Sequence, residues 1–333
     1  MLTIAVPHRK IAVYAITKNE EHFIDRWYES CKDADYIHIT DTGSFDGTVE
    51  KARALGINVN SIKLDPWRFD DARNFSLLSL PEDIDICVCL DLDEVLLDGW
   101  YDLVKKELTS EYDRLRYNYV WNWVNGKPGV TYLADKIHKR HGFRWVNPVH
   151  EVLKKDIRLG PEKQKFIKDT LIHHYADEEK SRSSYLPLLQ LSTQEDPYND
   201  RNAHYYAREL MFNRQWQEAI KEFQRHLNLP TSKWDAERAA SYRFMGDCYW
   251  ALGNVENAIE CFENSVKEAP HLREGYVSLA QAYRITNNYE NVVKYCKKAL
   301  SIKEKDGSYI HQPYAWSDWP EQMLKEAEQY VGH

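Results

Sequence analysis

The sequence predicts an α/β domain of the doubly wound type followed by an all-α domain of helical repeats. Three observations carry this. Apolar runs alternate with helix-patterned segments from Lys10 to Leu90. One of those runs, Ile84–Glu94 (IDICVCLDLDE), ends abruptly in the carboxylates of Asp91, Asp93 and Glu94. Beyond Asn199 the chain is helical in pattern, and Ala258 and Phe262 recur 34 residues later as Val292 and Cys296.

In order, Lys10–Thr17 reads as a buried strand, followed by the polar cluster Lys18–Glu21. His22–Cys31 has helical spacing, with Phe23, Ile24, Trp27 and Tyr28 on one face. Tyr36–Thr40 is a second strand. Asp41–Thr48 (DTGSFDGT) dictates a turn, with Asp46 placed to cap the helix Thr48–Leu55. A third strand at Ile57–Leu64 and a helix at Asp70–Leu80, with Arg73 and Asn74 in its first turn, lead to the strand Ile84–Leu90. Ile, Cys, Val and Leu without polar alternation suit a strand buried on both faces. Asp91 and Asp93, two apart, leave an extended strand end on one face. Hard oxygen ligands placed there suit Mg²⁺ or Mn²⁺, and the carboxyl edge of such a sheet is where ligands bind.

After a helix to Leu108, the segments Leu115–Val124, Val130–His138 and Phe143–Val146 read as mixed strands, with Asn125–Gly129 as a hairpin turn. Val149–Leu153 and Phe166–His174 follow, and Asp177-Glu178-Glu179 marks a helix start. In the repeats, Tyr242, Met245, Gly246, Tyr249, Ala258, Phe262 and Pro270 resemble the tetratricopeptide pattern of paired helices, and Tyr309–Tyr330 reads as a cap. The expected boundaries are residues 1–195 and 196–333.

A net charge of -8 and a pI near 5.9 argue against a generic nucleic-acid binder, although 114–168 is rich in Lys and Arg. The six cysteines lack metal-ligand or disulfide spacing. The N-terminus lacks a signal-peptide pattern and no apolar run reaches membrane-spanning length. The expected compartment is the reduced cytoplasm of a bacterium or a virus-infected cell.

Four ordered stretches, AITKNEE (15–21), DTGSFDGT (41–48), the Arg73-Asn74 helix start and CLDLDE (89–94), with VHE (149–151) and IHHY (172–175), resemble the family 2 glycosyltransferases. The resemblance implies a GT-A fold, Rossmann-like, and a hexosyl- or pentosyltransferase using a nucleotide-sugar donor. One subgroup carries C-terminal tetratricopeptide repeats, as this chain does. Carried over residue by residue, Thr17 and Glu20 would line the nucleoside pocket and Asp41 would accept the N–H of uracil, which points to a UDP-sugar. Arg73 would face the diphosphate, Asp91 would lie near the ribose or a metal-bound water, and Asp93 with His174 (or His173) would ligate Mn²⁺ or Mg²⁺. Glu151 is the candidate base for an inverting displacement. The sequence departs from the commonest family layout, which places the base in a Glu-Asp motif not found downstream; both base and stereochemistry stay open.

The acceptor is expected to be a peptide, a protein or a saccharide. One alternative is glycosylation of a hydroxylated base in phage DNA, received by the aromatic-basic run that holds Tyr117, Trp121, Trp123, Arg140, Arg144 and Trp145. Another, of a different class, is a non-catalytic repeat scaffold that keeps the fold. Dimerisation through the repeats is a further expectation.

Overall fold

A computed structural model describes residues 9–176, 185–306 and 308–331. It divides into two compact units, Met1–Lys180 and Ser181–His333. The sequence places the boundary at 195/196; the helix α5 (Tyr185–Glu195) goes with the second unit. The expected helix start at Asp177-Glu178-Glu179 lies outside the described residues.

In the first unit, β1 (Ile11–Thr17), β2 (Tyr36–Asp41) and β4 (Ile86–Cys89) are parallel strands where the sequence reads them, and β3 (Asn58–Ser61) is shorter than the expected Ile57–Leu64. They alternate with α1 (Ile24–Cys31), α2 (Thr48–Ala54) and α3 (Phe69–Leu78). Next come β5 (Glu94–Leu96) and α4 (Trp100–Glu107). The remaining strands are β6 (Arg114–Val120), β7 (Trp123–Val124), β8 (Lys127–Pro128), β9 (Thr131–Lys139), β10 (Phe143–Val146), β11 (Val152–Lys155) and β12 (Gln164–His174). The main sheet runs β3-β2-β1-β4-β9-β6-β12-β5 and is mixed. β4 meets β9 antiparallel, and β5 is an antiparallel edge on β12. The separate ribbon β7–β8 turns at Asn125 and Gly126, both at positive φ, the conformation a two-residue hairpin turn demands.

Alternation along β1 sorts the two cores. Ile11, Val13 and Ala15 pack with Ile24, Trp27, Ala52 and Trp100 on one face. Ala12 and Tyr14 pack with Leu77, Leu80, Trp145 and Leu153 on the other. Fully burying such side chains contributes roughly 1.5–3 kcal/mol each. Polar bonds then fix the angles. The Trp27 indole N–H donates to the Leu90 carbonyl at 3.1 Å, and the Ser76 hydroxyl to the Ala15 carbonyl at 2.9 Å. Asn74 brackets Trp145: its amide donates to the Trp145 carbonyl at 2.9 Å and its oxygen accepts the Trp145 N–H at 2.8 Å. The side chain thereby stands in for a missing strand neighbour of β10.

The second unit continues with α6 (Asp200–Phe212), α7 (Trp216–Asn228), α8 (Asp235–Ala251), α9 (Val255–Glu268), α10 (Arg273–Ile285), α11 (Tyr289–Ser301) and α12 (Trp319–Val331). Antiparallel pairing is set by small residues. A Cβ built on Gly246 would lie 2.5 Å from Phe262 Cε1, so only glycine lets α8 and α9 approach so closely. Asn199, Asn254 and Asn288 cap α6, α9 and α11 through their side chains. The segment between α11 and α12 turns back over the first helices of the pairs. Tyr309 donates to Glu237 of α8 at 2.6 Å and stacks on Tyr205 of α6 at 6.0 Å. His311 sits between Glu274 of α10, at 3.0 Å, and Asp306, at 2.8 Å.

Candidate functional site

The order β3-β2-β1-β4 puts a reversal of winding direction between β1 and β4, and the residues that chemistry would use gather at the carboxyl ends of these strands. Thr17 ends β1; its hydroxyl donates to Glu20 Oε2 at 3.0 Å, and both residues are buried. Asn19, at φ 56°, crosses to the loop after β2: its amide donates to the Ser44 hydroxyl and its side-chain oxygen accepts the Phe45 N–H. The loops at residues 18–21 and 41–48 are therefore one stitched structure. Asp41 is buried at the end of β2. Its two oxygens accept the Gly43 and Ser44 amides at 3.2 and 3.0 Å, an Asx turn that shapes this loop. Asp46 is not the N-cap of α2 that was expected: that position falls to Gly47, and Asp46, one residue earlier, accepts the Thr48 N–H at 3.1 Å.

The end of β4 departs from the expectation. β4 stops at Cys89, and Asp91–Glu94 is a turn, closed by the Glu94 N–H on the Asp91 carbonyl at 2.9 Å and by the Asp91 N–H on Glu94 Oε2 at 2.9 Å. Asp91 and Asp93 therefore do not share one strand face; the turn sends them to different partners. Asp91 receives Arg73 Nη1 at 2.7 Å and Lys136 Nζ at 2.8 Å. Asp93 lies 3.3 Å from His174 Nε2.

Arg73 follows the first turn of α3 and is 7% exposed, more enclosed than a cation simply facing solvent and ligand. It pairs neither with Asp70, which takes Arg68 at 2.9 Å, nor with Asp71; it joins Asp91 and Glu151 and lies 5.2 Å from the Trp145 ring centre. Glu151 follows His150, which holds φ 50°, so an uncommon backbone conformation precedes it. The fifth member is Lys136 on β9, which spans Asp91 and Glu94, the latter at 2.7 Å. Glu94 also accepts the Tyr119 hydroxyl at 2.6 Å.

Two cations, Arg73 and Lys136, thus face three carboxylates, Asp91, Glu94 and Glu151. For Asp91 and Lys136 burial opposes the charged form, and the charge partners override it. For Asp91, burial pushes the pKa up but Arg73 and Lys136 override it and hold the carboxyl well below its usual range. For Lys136, burial pulls down while Asp91 and Glu94 push it well above. Glu94 goes the other way: burial, helped by the charges of Asp91 and Asp93, raises it against the pull of Lys136.

Among the described residues, no three His, Cys, Asp or Glu side chains gather as a metal-ligand cluster. Two donors are nevertheless placed for a hard cation. His174 Nδ1 lies 2.7 Å from the Trp121 carbonyl, so it carries the proton, and Nε2 is turned to Asp93. A neutral imidazole would then aim a lone pair at a carboxylate, which is repulsive. A second proton or a cation resolves the conflict. Burial lowers the His174 pKa, but the bond to Asp93 and its charge raise it overall. One carboxylate and one imidazole, with substrate phosphates completing the shell, fit Mg²⁺ or Mn²⁺. His173 instead packs edge-on against Trp123.

Lys136 was missed at the sequence level. The pairing of β9 with β6 slips by one residue between Ala134 and Ile137, so the two-residue alternation of a regular strand does not place Lys136. Part of the basic excess of 114–168 is spent on ion pairs within the unit: Arg114 with Asp135 and Glu162, Lys139 and Lys155 with Asp113. Tyr117 and Trp145 from the same run are buried core.

A family model described as tetratricopeptide repeat matches residues 239–272 and 274–306. No curated protein sequence matches the chain. Among solved structures it is similar to MamA protein (17% identity, TM-score 0.32, 44% of this chain and 77% of that one). It is also similar to the TPR domain of Sgt2 from Aspergillus fumigatus (15%, 0.32, 40% and 79%). A third is S. aureus TarS (15%, 0.44, 75% and 54%), of whose length this chain spans about half. No helix of the described residues is long and apolar enough to cross a membrane. The chain is a mixed-sheet unit followed by helices of which α8 to α11 are tetratricopeptide repeats.

Proposed function

We propose that the first unit is a GT-A glycosyltransferase that takes a sugar from a nucleotide-diphosphate donor, a UDP-sugar. One observation carries this: Thr17, Asp41, Asp91 and Asp93 stand at or just beyond the carboxyl ends of β1, β2 and β4, on either side of the winding reversal.

In this reading Thr17 and Glu20 border the nucleoside and Asp41, besides shaping its loop, accepts from the base. Asp93 and His174 would hold Mn²⁺ or Mg²⁺, which when bound neutralises charge on the leaving diphosphate. Arg73 borders the diphosphate from the same edge, its guanidinium oriented by Asp91 and Glu151, with Lys136 on the other side of Asp91. Transfer forms a bond from the acceptor oxygen to the anomeric carbon as that carbon's bond to the diphosphate oxygen breaks. The electron pair leaves with the nucleoside diphosphate, and the acceptor proton passes to Glu151. Glu151 is less than fully exposed and tied to Arg73, so its carboxylate is aimed rather than free to swing.

Calorimetric titration of nucleotide sugars, with Mn²⁺ and then with EDTA, tests the reading. Metal-dependent binding of UDP-sugars, abolished in Asp93→Ala at unchanged circular dichroism, is the expected result. Binding that survives both EDTA and Asp93→Ala would remove the metal from the site. No nucleotide binding at all would leave the scaffold alternative.

A further inference from the structure

Side chains alternate along the two-stranded ribbon β10–β11. Trp145 and Leu153 enter the core beneath it, so Arg144 and Lys154 leave on the opposite face. These two are register partners and both are exposed. Like charges directly opposite on an antiparallel pair repel. The local balance is strongly basic: residues 140–168 hold eight Lys and Arg against three Asp and Glu, in a chain with 44 against 52. The three acids are taken within the unit. Asp156 accepts from Arg158 Nε at 3.0 Å, Glu162 pairs with Arg114 at 2.6 Å, and Glu151 pairs with Arg73. Among the described residues, Arg144, Lys154 and, beyond the ribbon, Lys163 form no ion pair.

The ribbon closes where the Asp156 N–H donates to the Gly142 carbonyl at 2.8 Å, and a short turn at Ile157–Leu159 follows. The turn is held by its own bonds. Asp156 Oδ1 accepts the Arg158 N–H at 2.9 Å, and the Leu159 and Gly160 N–H groups donate to the Asp156 and Ile157 carbonyls at 3.0 and 3.2 Å. Yet Ile157 is 90% exposed and Leu159 59%. A single exposed aliphatic side chain is ordinary. Two at the apex of a bonded turn, beside unpaired cations, make an apolar tip with a basic collar.

We propose that this tip docks on a lipid bilayer with anionic headgroups. Ile157 and Leu159 enter the boundary between headgroups and acyl chains, while Arg144, Lys154 and Lys163 meet the lipid phosphates and relieve the cross-strand repulsion. The apolar part decides between a bilayer and the other large polyanion, nucleic acid. Branched aliphatic side chains neither stack on bases nor hydrogen-bond their edges, and residues 156–160 include no aromatic ring. In a bilayer the same side chains leave water. Glu151 stands before β11 and the tip after it, so six residues of nearly extended chain, about 20 Å, separate Glu151 from Ile157. A docked tip thus leaves the candidate site above the headgroups. Docking uses no residue of that site, so it holds whether or not the first unit transfers a sugar.

The test sediments the full chain with phosphatidylcholine vesicles, with and without phosphatidylglycerol. The expected result is binding to the anionic vesicles alone, weakened by added salt. Ile157→Ser lowers the affinity about tenfold, and Arg144→Ala and Lys154→Ala each lower it about fivefold, with circular dichroism unchanged. Ile157→Cys carrying an environment-sensitive fluorophore gives a direct reading, because the six native cysteines are buried; its emission shifts to the blue on anionic vesicles. No binding to anionic vesicles, or equal binding to neutral ones, overturns the proposal. So does binding that Ile157→Ser leaves unchanged, or a label whose emission stays that of water. Binding to duplex DNA that weakens in Arg144→Ala and not in Ile157→Ser, without vesicle binding, assigns the basic face to nucleic acid and overturns the bilayer.

Discussion

Arg73 and Glu151, 78 residues apart in the chain, meet as an ion pair with side chains 9% and 11% exposed, and Asp91 completes the guanidinium's partners. Burial would lower the Arg73 pKa, but Asp91, Cys89 and Glu151 raise it well above its usual value. Removing the cation strands Glu151 and leaves Asp91 with Lys136 alone. Arg73→Met is expected to destabilise the first unit by about 3–5 kcal/mol, read as a lower urea midpoint. A loss under 1 kcal/mol (about the worth of an exposed pair) would mean that water reaches this pair freely.

Glu151→Gln keeps the shape and leaves Arg73 with Asp91. If Glu151 takes the acceptor proton, transfer should fall by roughly 10²–10⁴ while UDP-sugar affinity holds. Unchanged transfer would assign the base elsewhere. A parallel loss of donor affinity would make Glu151 a positioning residue for Arg73.

Gly246→Ala sets two effects against each other. Alanine improves helix propensity by about 1 kcal/mol. Its Cβ, however, would lie 2.5, 2.8 and 3.0 Å from three atoms of the Phe262 ring, and Phe262 is buried. Overpacking of this kind costs roughly 1–3 kcal/mol. The clash should win, lowering the thermal midpoint of the repeats; a raised midpoint would show that the ring has room to turn.

The repeats should weaken with acid. Burial depresses the His204 pKa to about 3. Glu237 is held at about 2: burial would raise it, but His226, His204 and Tyr309 outweigh that. Both folded values lie below the unfolded ones, so both contributions are present at neutral pH. That of His204 is lost as pH falls from 6.5 toward about 3, that of Glu237 from 4.5 toward about 2. The slope per proton is roughly 1.4 kcal/mol per pH unit. Urea midpoints followed by helical circular dichroism should drop steadily between pH 6.5 and 4.5, and a flat profile there would show His204 already protonated in the fold.

Strands whose packing is local to their own sequence were legible. β1 and β4 announce themselves because burial on both faces leaves only apolar residues, and the repeats because Gly246 and Phe262 must meet in every fold that pairs those helices. β5 was not: three residues after a turn carry no period, and the strand exists only because the distant β12 offers it an edge. The residues of the candidate site could be named from the sequence, but not how they stand to one another. The Asp91–Glu94 turn is closed by one backbone bond and by the Glu94 carboxylate on the Asp91 N–H, a pairing that an apolar run read as a strand end does not reveal, and it parts Asp91 from Asp93. Lys136 enters the site only because β9 pairs with β4, a long-range contact that the sequence pattern does not carry.

Stacked repeats ordinarily touch only their neighbours and can fray from either end, one unit at a time. Tyr309 breaks that rule. It follows the last helix pair in sequence yet rests on Tyr205 in α6 and bonds Glu237 in α8, while His311 on the same loop holds α10 through Glu274. The far end of the row is thereby buckled to its beginning. Peeling α11 away from the end of the row means first breaking contacts with α6, α8 and α10, so α6 to α11 should melt together as one block.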